Sequence, residues 1–303
     1  MPAARPHIAV LGLALSLMAG LAACSGDDGQ VRVGQSSVVV TFPVLGSVVR
    51  DVVADPAVVK VLMPHGLDPH EWDPSGKDIA AMRSADLVVA NGLGLEEGAG
   101  DALREVAKSG VPVFEAADHV DVRRVGAGEV AGDEEVGTED PHLWLDPLAM
   151  RDMAAALAAE LRVVGVPVSD TPSVTAGLEG VDRDARRLLD VVPSERRQLV
   201  TGHDSMGYFA DRYDFTVLGS IVPSLTSQSE ASAGALAELR AEIERAGVPA
   251  VFTELGTSTK IAKAVAHDAG SNVVELATHT LPADGTYRTF LLDLAASVAG
   301  ALR

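Results

Sequence analysis

The feature that most constrains the fold is an alternation of short β-branched runs with longer helical stretches, run through twice. In the first half the runs at 37–41 (SVVVT), 58–62, 87–90 and 111–114 read as strands. Helical spacing separates them at 45–53, 77–84 and 97–109, and an alanine- and leucine-rich helix follows at 150–163. The second half repeats the scheme, with strands at 198–201, 216–221, 250–253 and 273–276 and helices at 231–246, 259–269 and 287–302. Alternation of this kind implies parallel sheets covered by helices, an α/β fold. Between the halves, Leu178, Val181, Leu188 and Leu189 fall at helical spacing amid charges, so 173–192 is expected as one long helix spanning two lobes. The alternative is a surface helix of the first lobe. The expected architecture is two lobes, each a mostly parallel sheet flanked by helices, joined by that helix. The spans are 36–166 for the first lobe, 167–194 for the linking helix and 195–303 for the second lobe. The length suffices for two domains with separate cores. Ligands of open α/β sheets sit at the carboxyl ends of strands, so two facing lobes make a cleft.

The chain's start bears on where it works. Arg5 precedes an unbroken apolar and small-residue run, 8–23, that ends in Leu21-Ala22-Ala23-Cys24. This is the layout of a secretory signal, 1–23, and the run is short for a membrane-spanning helix of about 20 residues. Cys24 is the only cysteine, which excludes an intramolecular disulfide. The segment resembles the lipobox of bacterial lipoproteins, which implies that Cys24 is acylated after cleavage. The alternative is a plain signal peptide with an incidental cysteine. Residues 24–35 then form a polar tether. Without the signal, 23 basic residues face 43 acidic ones. Nucleic acid is thereby excluded as a partner, because phosphate binding needs basic patches. The acidic surface is compatible with gathering cations and equally with solubility alone.

Four of the eight histidines sit where a strand hands over to a loop or helix: His70, His142, His203 and His279. The chain twice writes Asp-Pro-His, then Trp two residues on, then Asp-Pro: Asp68-Pro69-His70-Glu71-Trp72-Asp73-Pro74 and Asp140-Pro141-His142-Leu143-Trp144-Leu145-Asp146-Pro147. Asp-Pro favours an extended or turn backbone that aims the next side chain. A short acidic neighbour can accept the second imidazole N–H and orient the ring. His203 follows a strand in Thr201-Gly202-His203-Asp204-Ser205-Met206-Gly207-Tyr208-Phe209, and His279 lies just past another in Ala277-Thr278-His279-Thr280. Four imidazoles from successive parts of one chain can converge as a metal site.

Taken together, the lipobox, the two Asp-Pro-His motifs, TGHDSMGYFADRY and ELRAEIERAGVPAVFTE resemble the metal-binding solute-binding lipoproteins of ABC importers (cluster A-I, zinc-type) over nearly all of the chain beyond the signal. That resemblance implies two α/β lobes joined by a long backbone helix, with one metal in the interlobe cleft. It also implies a monomer held to the bacterial membrane by a lipid anchor, with an ABC permease as its partner. His70, His142 and His203 match the first three ligand positions. The family's usual fourth ligand is an aspartate, and His279 stands in its place, with Asp284 as the fallback.

Imidazole suits zinc, whereas manganese prefers oxygen donors, and the family's manganese sites carry glutamate where His203 stands. Zn²⁺ is therefore the expected cargo, with Mn²⁺ or another divalent cation as the alternative. A metal-stabilised adhesin is the rival binding function. A zinc hydrolase would keep one position open for water, which four histidine ligands would close, so no enzyme is expected. His65 is a possible transient ligand, and Glu254 could support the site or simply serve the fold. Trp72 and Trp144 are expected to pack beneath the site. Asp146 either orients a histidine or caps the following helix. The acidic loop 122–140, with Glu129, Asp133, Glu134, Glu135, Glu139 and Asp140, stands where zinc members often carry a histidine-rich loop. Lacking histidine, it reads as a solvated loop or a weak scavenging segment. His7, His119 and His267 have no assigned role.

Overall fold

The structure, a computed structural model, describes residues 35–126, 135–254 and 259–303. The signal, Cys24, Glu129, Asp133 and Glu134 lie outside the described residues. Among the described residues, no helix is long and apolar enough to cross a membrane.

The first half is a four-stranded parallel sheet. Strands β1 (Ser37–Val40), β2 (Val58–Val61), β3 (Leu87–Ala90) and β4 (Val113–Glu115) lie in the order β2-β1-β3-β4. The central strands β1 and β3 are buried throughout, which explains why they read as continuous apolar runs instead of alternating ones. Helices α1 (Pro43–Val52), α2 (Gly76–Arg83) and α3 (Gly100–Lys108) make the crossovers. Proline opens α1 in its first turn, where no N–H is required. The chain changes direction in the sheet between β1 and β3, and the carboxyl ends of those strands form the switch point at which such sheets bind ligands.

Two helices follow, α4 (Pro147–Val163) and α5 (Thr171–Leu189). Leu178, Val181, Ala185 and Leu189 are the buried face of α5, three to four residues apart as a helical stripe requires. The helix is shorter than the 173–192 expectation at its far end, where Asp190 closes it. It lies along α4, and its last turn meets the second half. There Arg186 donates to the carbonyl of Arg212 at 2.6 Å and lies over the ring of Tyr213.

The second half contains β5 (Gln198–His203), α6 (Gly207–Tyr213), β6 (Thr216–Val222), α7 (Ala233–Ala246), β7 (Ala250–Glu254), α8 (Lys260–Ala269), β8 (Asn272–Leu276) and α9 (Tyr287–Leu302). Parallel ladders join β5 to β6 and β7 to β8, with β5 beside β7. The ladder carries β5 as far as His203, opposite Val222, so His203 is the strand's last residue, two positions beyond the Thr201 end expected from the sequence.

The expectation of separate cores is corrected. One apolar cluster runs from β1 and β3 through α4, α5 and α9 to Leu199, Phe252 and Leu276. A smaller one, around Val200, Ile243, Val251 and Val265, covers the other face of the second half. Successive strand residues point to opposite faces, so Leu199 and Val200 necessarily enter different cores. The shared layer exists because α9, at the chain's end, packs against α5 and reaches α1.

Candidate metal centre

The first half delivers His70 and His142 from two short turns, and the second half delivers His203 and His279 from the carboxyl ends of strands, so the expectation that all four lie where a strand hands over holds only for the second half. His70 lies in the short 3-10 turn Pro69–Glu71 beyond β2. The Asp68 side chain fixes this turn by accepting from the His70 amide at 2.9 Å. In the second motif Asp140 accepts from the His142 amide at the same distance, 2.9 Å. The repeated Asp-Pro-His is thus one device used twice: the aspartate accepts from the amide of the histidine two residues on and so fixes the backbone that aims it. His203 ends β5, and His279 lies three residues beyond β8.

The first three come together. His142 Nε2 is 3.3 Å from His70 Nε2 and 3.1 Å from His203 Nε2. One nitrogen of each lies within 4.8 Å of the other two, and all three residues are buried. Among the described residues this is the one group of metal-ligating side chains that converges so closely. His279 is buried beside it, in the wall of a cavity of about 420 Å³ that His203, Asp68 and Glu254 also line, but outside the tight triad. Asp284 is exposed, and its carboxylate accepts from Thr286 N at 3.1 Å and Thr289 Oγ1 at 2.5 Å at the start of α9. His65 is exposed and stands outside the triad.

What backs the imidazoles sets their chemistry. His142 Nδ1 is 2.8 Å from Asp140 Oδ1, and His203 Nδ1 is 3.1 Å from Glu254 Oε1. A carboxylate facing Nδ1 keeps that nitrogen protonated and leaves Nε2 as a lone pair. Two such lone pairs 3.1 Å apart repel unless a cation or a proton stands between them. The proton affinities follow from this. Burial and the neighbouring His142 and His203 push His70 down to about 3. Burial, reinforced by His203, holds His142 well below the ordinary imidazole range. Burial also opposes charge on His203, yet Glu254 outweighs it and raises the imidazole's pKa. Glu254 is correspondingly lowered: burial pushes it up, but His203 and the Ser205 hydroxyl prevail. Asp140 is driven up to about 6 by complete burial, against the pull of the His142 amide and Arg123.

The two copies differ behind the ring. Asp140 takes both the amide and Nδ1 of His142, whereas Asp68 takes only the amide of His70, whose Nδ1 has no hydrogen-bond partner among the described residues. Burial raises Asp68, but a Ser227 hydrogen bond, the His70 amide and the surrounding imidazoles bring it below the usual carboxylate range. Gln228, beyond β6, donates to the His70 carbonyl and so links the second half to the first motif.

Several supporting residues left no trace in the sequence pattern. Asn91, at the switch point after β3, donates at 2.8 Å to the carbonyl of Pro141, directly before His142. Buried Glu96 holds Asn91 in turn, accepting from its amide at 3.0 Å and from the Thr41 hydroxyl. Arg123 joins Asp140 to Asp211 of α6. Gly202 is a steric requirement, since a Cβ there would sit 1.9 Å from Glu254 Oε2. Asp146 caps α4 through Leu148 N at 2.8 Å and forms a two-pronged pair with Arg212 at 2.8 and 2.6 Å, so the capping alternative holds. The ring of Trp144 lies 5.3 Å from that of His142. His119 stacks on Phe114, and exposed His267 sits beside Asp268.

Imidazoles from turns of one α/β half and a strand end of the other, converging as they do, define a two-lobed solute-binding protein with a cation-binding cleft. The chain belongs to the family described as ZnuA, zinc-uptake complex component A, periplasmic, whose profile matches residues 38–301. This is a family of substrate-binding transport proteins of metal ABC importers and not of enzymes. The zinc-binding protein TroA of Treponema pallidum (strain Nichols) is 29% identical over 279 residues, 90% of this chain and 88% of TroA. The manganese ABC transporter substrate-binding lipoprotein PsaA of Streptococcus pneumoniae is 26% identical over 270 residues, 86% of this chain and 85% of PsaA. The solved structure of the periplasmic zinc-binding protein TroA from Treponema pallidum matches with a TM-score of 0.74 at 26% identity, covering 89% of this chain and 99% of that one.

Proposed function

We propose that this chain captures Zn²⁺ outside the cytoplasmic membrane and delivers it to an ABC permease, with His70, His142, His203 and His279 as ligands. The observation that carries the reading is the spacing of the Nε2 atoms, 3.3 and 3.1 Å around His142, with carboxylates on the far side of two of the rings. Tetrahedral zinc with Zn–N of roughly 2.0–2.1 Å sets its nitrogens about 3.3–3.4 Å apart. The two spacings around His142 are close to that value, and neutral imidazole is a donor that suits zinc better than manganese.

The ligands come from both halves, so a bound ion favours the arrangement in which the halves meet, by differential affinity. Release to the permease then requires that arrangement to be loosened. The wider organisation we propose is a signal at 1–23 and a tether at 24–35 anchored through lipid on Cys24. The lobes span 36–166 and 195–303, with a linking helix at 167–194, and the protein acts as a monomer.

Titration of the purified protein with Zn²⁺ tests this. One tight site per chain is expected, lost or badly weakened in His142→Ala; sub-stoichiometric binding, or undiminished binding in that variant, overturns it. Mn²⁺ is the second reading, supported by the carboxylates of Asp68 and Glu254 in the wall of the same cavity. Elemental analysis of protein isolated from cells, with anomalous scattering at the zinc edge, separates the two and identifies the fourth ligand.

A further inference from the structure

The loop that carries His279 has no regular structure of its own. β8 ends at Leu276 and α9 begins at Tyr287. It is nevertheless held from the opposite half. The indole Nε1–H of Trp144, a buried residue, donates at 2.7 Å to the carbonyl of Thr278. That carbonyl belongs to the peptide unit whose nitrogen is that of His279. The carbonyl of Trp144 in turn receives the hydroxyl of Tyr287 at 2.8 Å, so the first turn of α9 is fastened to the same residue. The Trp144 ring is further fixed by Phe42, edge-on with centroids 5.0 Å apart, and it walls one side of the His142 ring. Behind His279, the Thr278 hydroxyl is 3.3 Å from Nδ1.

An indole N–H is a donor only, and a buried one has a single direction in which to be satisfied. Trp144 is therefore a fixed point that touches one imidazole and sets the backbone from which another projects, across the cleft and 134 residues apart in sequence.

We propose that Trp144 is a positioning residue for His279, its indole N–H holding the Thr278–His279 peptide so that the fourth imidazole faces the other three. The proposal rests on the reading of His279 as a ligand. A shell held this way is closed and four-coordinate. A shell whose fourth imidazole has drifted admits water.

Cobalt(II) reports that difference, because four-coordinate Co²⁺ absorbs far more strongly in the visible than five- or six-coordinate Co²⁺. Trp144→Phe keeps an aromatic wall against His142 and removes only the N–H. Loaded with Co²⁺, it should lose visible absorption in the same way as His279→Ala, and its Zn²⁺ affinity should fall about tenfold, as for loss of a partner that orients a ligand. The double variant should bind no more weakly than His279→Ala alone, because both changes remove one interaction. Full absorption in Trp144→Phe while His279→Ala loses it overturns the proposal, as does a double variant weakened by the product of the two single effects. An unchanged spectrum in His279→Ala instead removes the fourth-ligand reading, and the role of Trp144 with it. If Trp144→Phe does not fold, Tyr287→Phe carries the test. A smaller loss of the same absorption is expected, and an unchanged spectrum overturns the assignment.

Discussion

The Oδ1 atom of Asp140 stands 2.8 Å from Nδ1 of His142 and 2.9 Å from its backbone nitrogen, so one carboxylate oxygen fixes both the turn and the ring. Asp140→Ala removes both contacts and leaves Arg123 facing an empty corner. Zinc affinity should fall about 10- to 100-fold, the usual effect of losing a carboxylate behind a ligating imidazole. Competition against a chromogenic zinc chelator measures it, and an affinity within twofold of the parent chain would show that Asp140 serves only the fold.

Metal binding should release a proton, and how much depends on pH in a defined sense. Of the triad, His203 alone has a raised proton affinity, while His70 is held at about 3 and His142 well below the ordinary range. Near pH 6 Zn²⁺ therefore displaces the proton of His203 and part of the one held by Asp140, whose carboxyl is driven up to about 6, and the release declines as pH rises through the elevated value of His203. Calorimetry in buffers of different ionisation enthalpy, at about pH 6 and about pH 8.5, reads the proton count; equal release at both contradicts the assignment.

In the metal-free protein the depressed His70 acts on stability. Between about pH 3 and about 6.5 the unfolded chain binds more protons at this residue than the folded chain does, so its contribution to stability falls on acidification. His203 has the opposite sign: its contribution is present below about 6.5 and is lost as pH rises through its raised folded value. A His70→Asn variant should lose stability less steeply than the parent chain as pH is lowered. Urea midpoints between pH 4 and pH 7 give the comparison, and parallel slopes would remove His70 from the account.

Gly202→Ala tests the support of His203 from the side of the strand. A Cβ 1.9 Å from Glu254 Oε2 forces that carboxylate away from the imidazole. Overpacking of this kind costs about 1–3 kcal/mol of stability. Zinc affinity should fall to about the level of Glu254→Ala, and a variant binding zinc as the parent does would separate Glu254 from the site.

Arg212→Met probes the link between α6 and the second motif away from the metal. Losing the two-pronged pair leaves Asp146 nearly buried without its cation, at a cost near 1.5 kcal/mol, the lower end for charge-assisted bonds because Arg212 is partly exposed. The urea midpoint should fall while the zinc stoichiometry stays at one per chain. A lost site with unchanged stability would place Arg212 in metal binding instead.

Much of the site was legible because its signals are local. The repeated Asp-Pro-His states its own mechanism, an aspartate that fixes the backbone of the following imidazole, and both copies do this with the same 2.9 Å contact. The same repeat concealed their difference, since whether the aspartate also reaches Nδ1 depends on ring orientation, which neighbours decide. Asn91, Glu96 and Gln228 were not legible. They act through hydrogen bonds to carbonyls, a backbone amide and a hydroxyl, and polar residues in loops carry no periodicity that marks such partners.

The sequence by itself determined the α/β class, the order of nearly every strand and helix, and the three histidines of the triad. These follow from side-chain periodicity and turn chemistry, which act over a few residues. Only the tertiary structure decided that the two halves share one apolar core through α5 and α9, and that Asp284 belongs to the start of α9. It also decided that His279 approaches the triad from a loop fastened by Trp144. Those outcomes depend on contacts between residues far apart in the chain, such as Tyr287 with Trp144, 143 positions away, and they exist only once both halves have folded against each other.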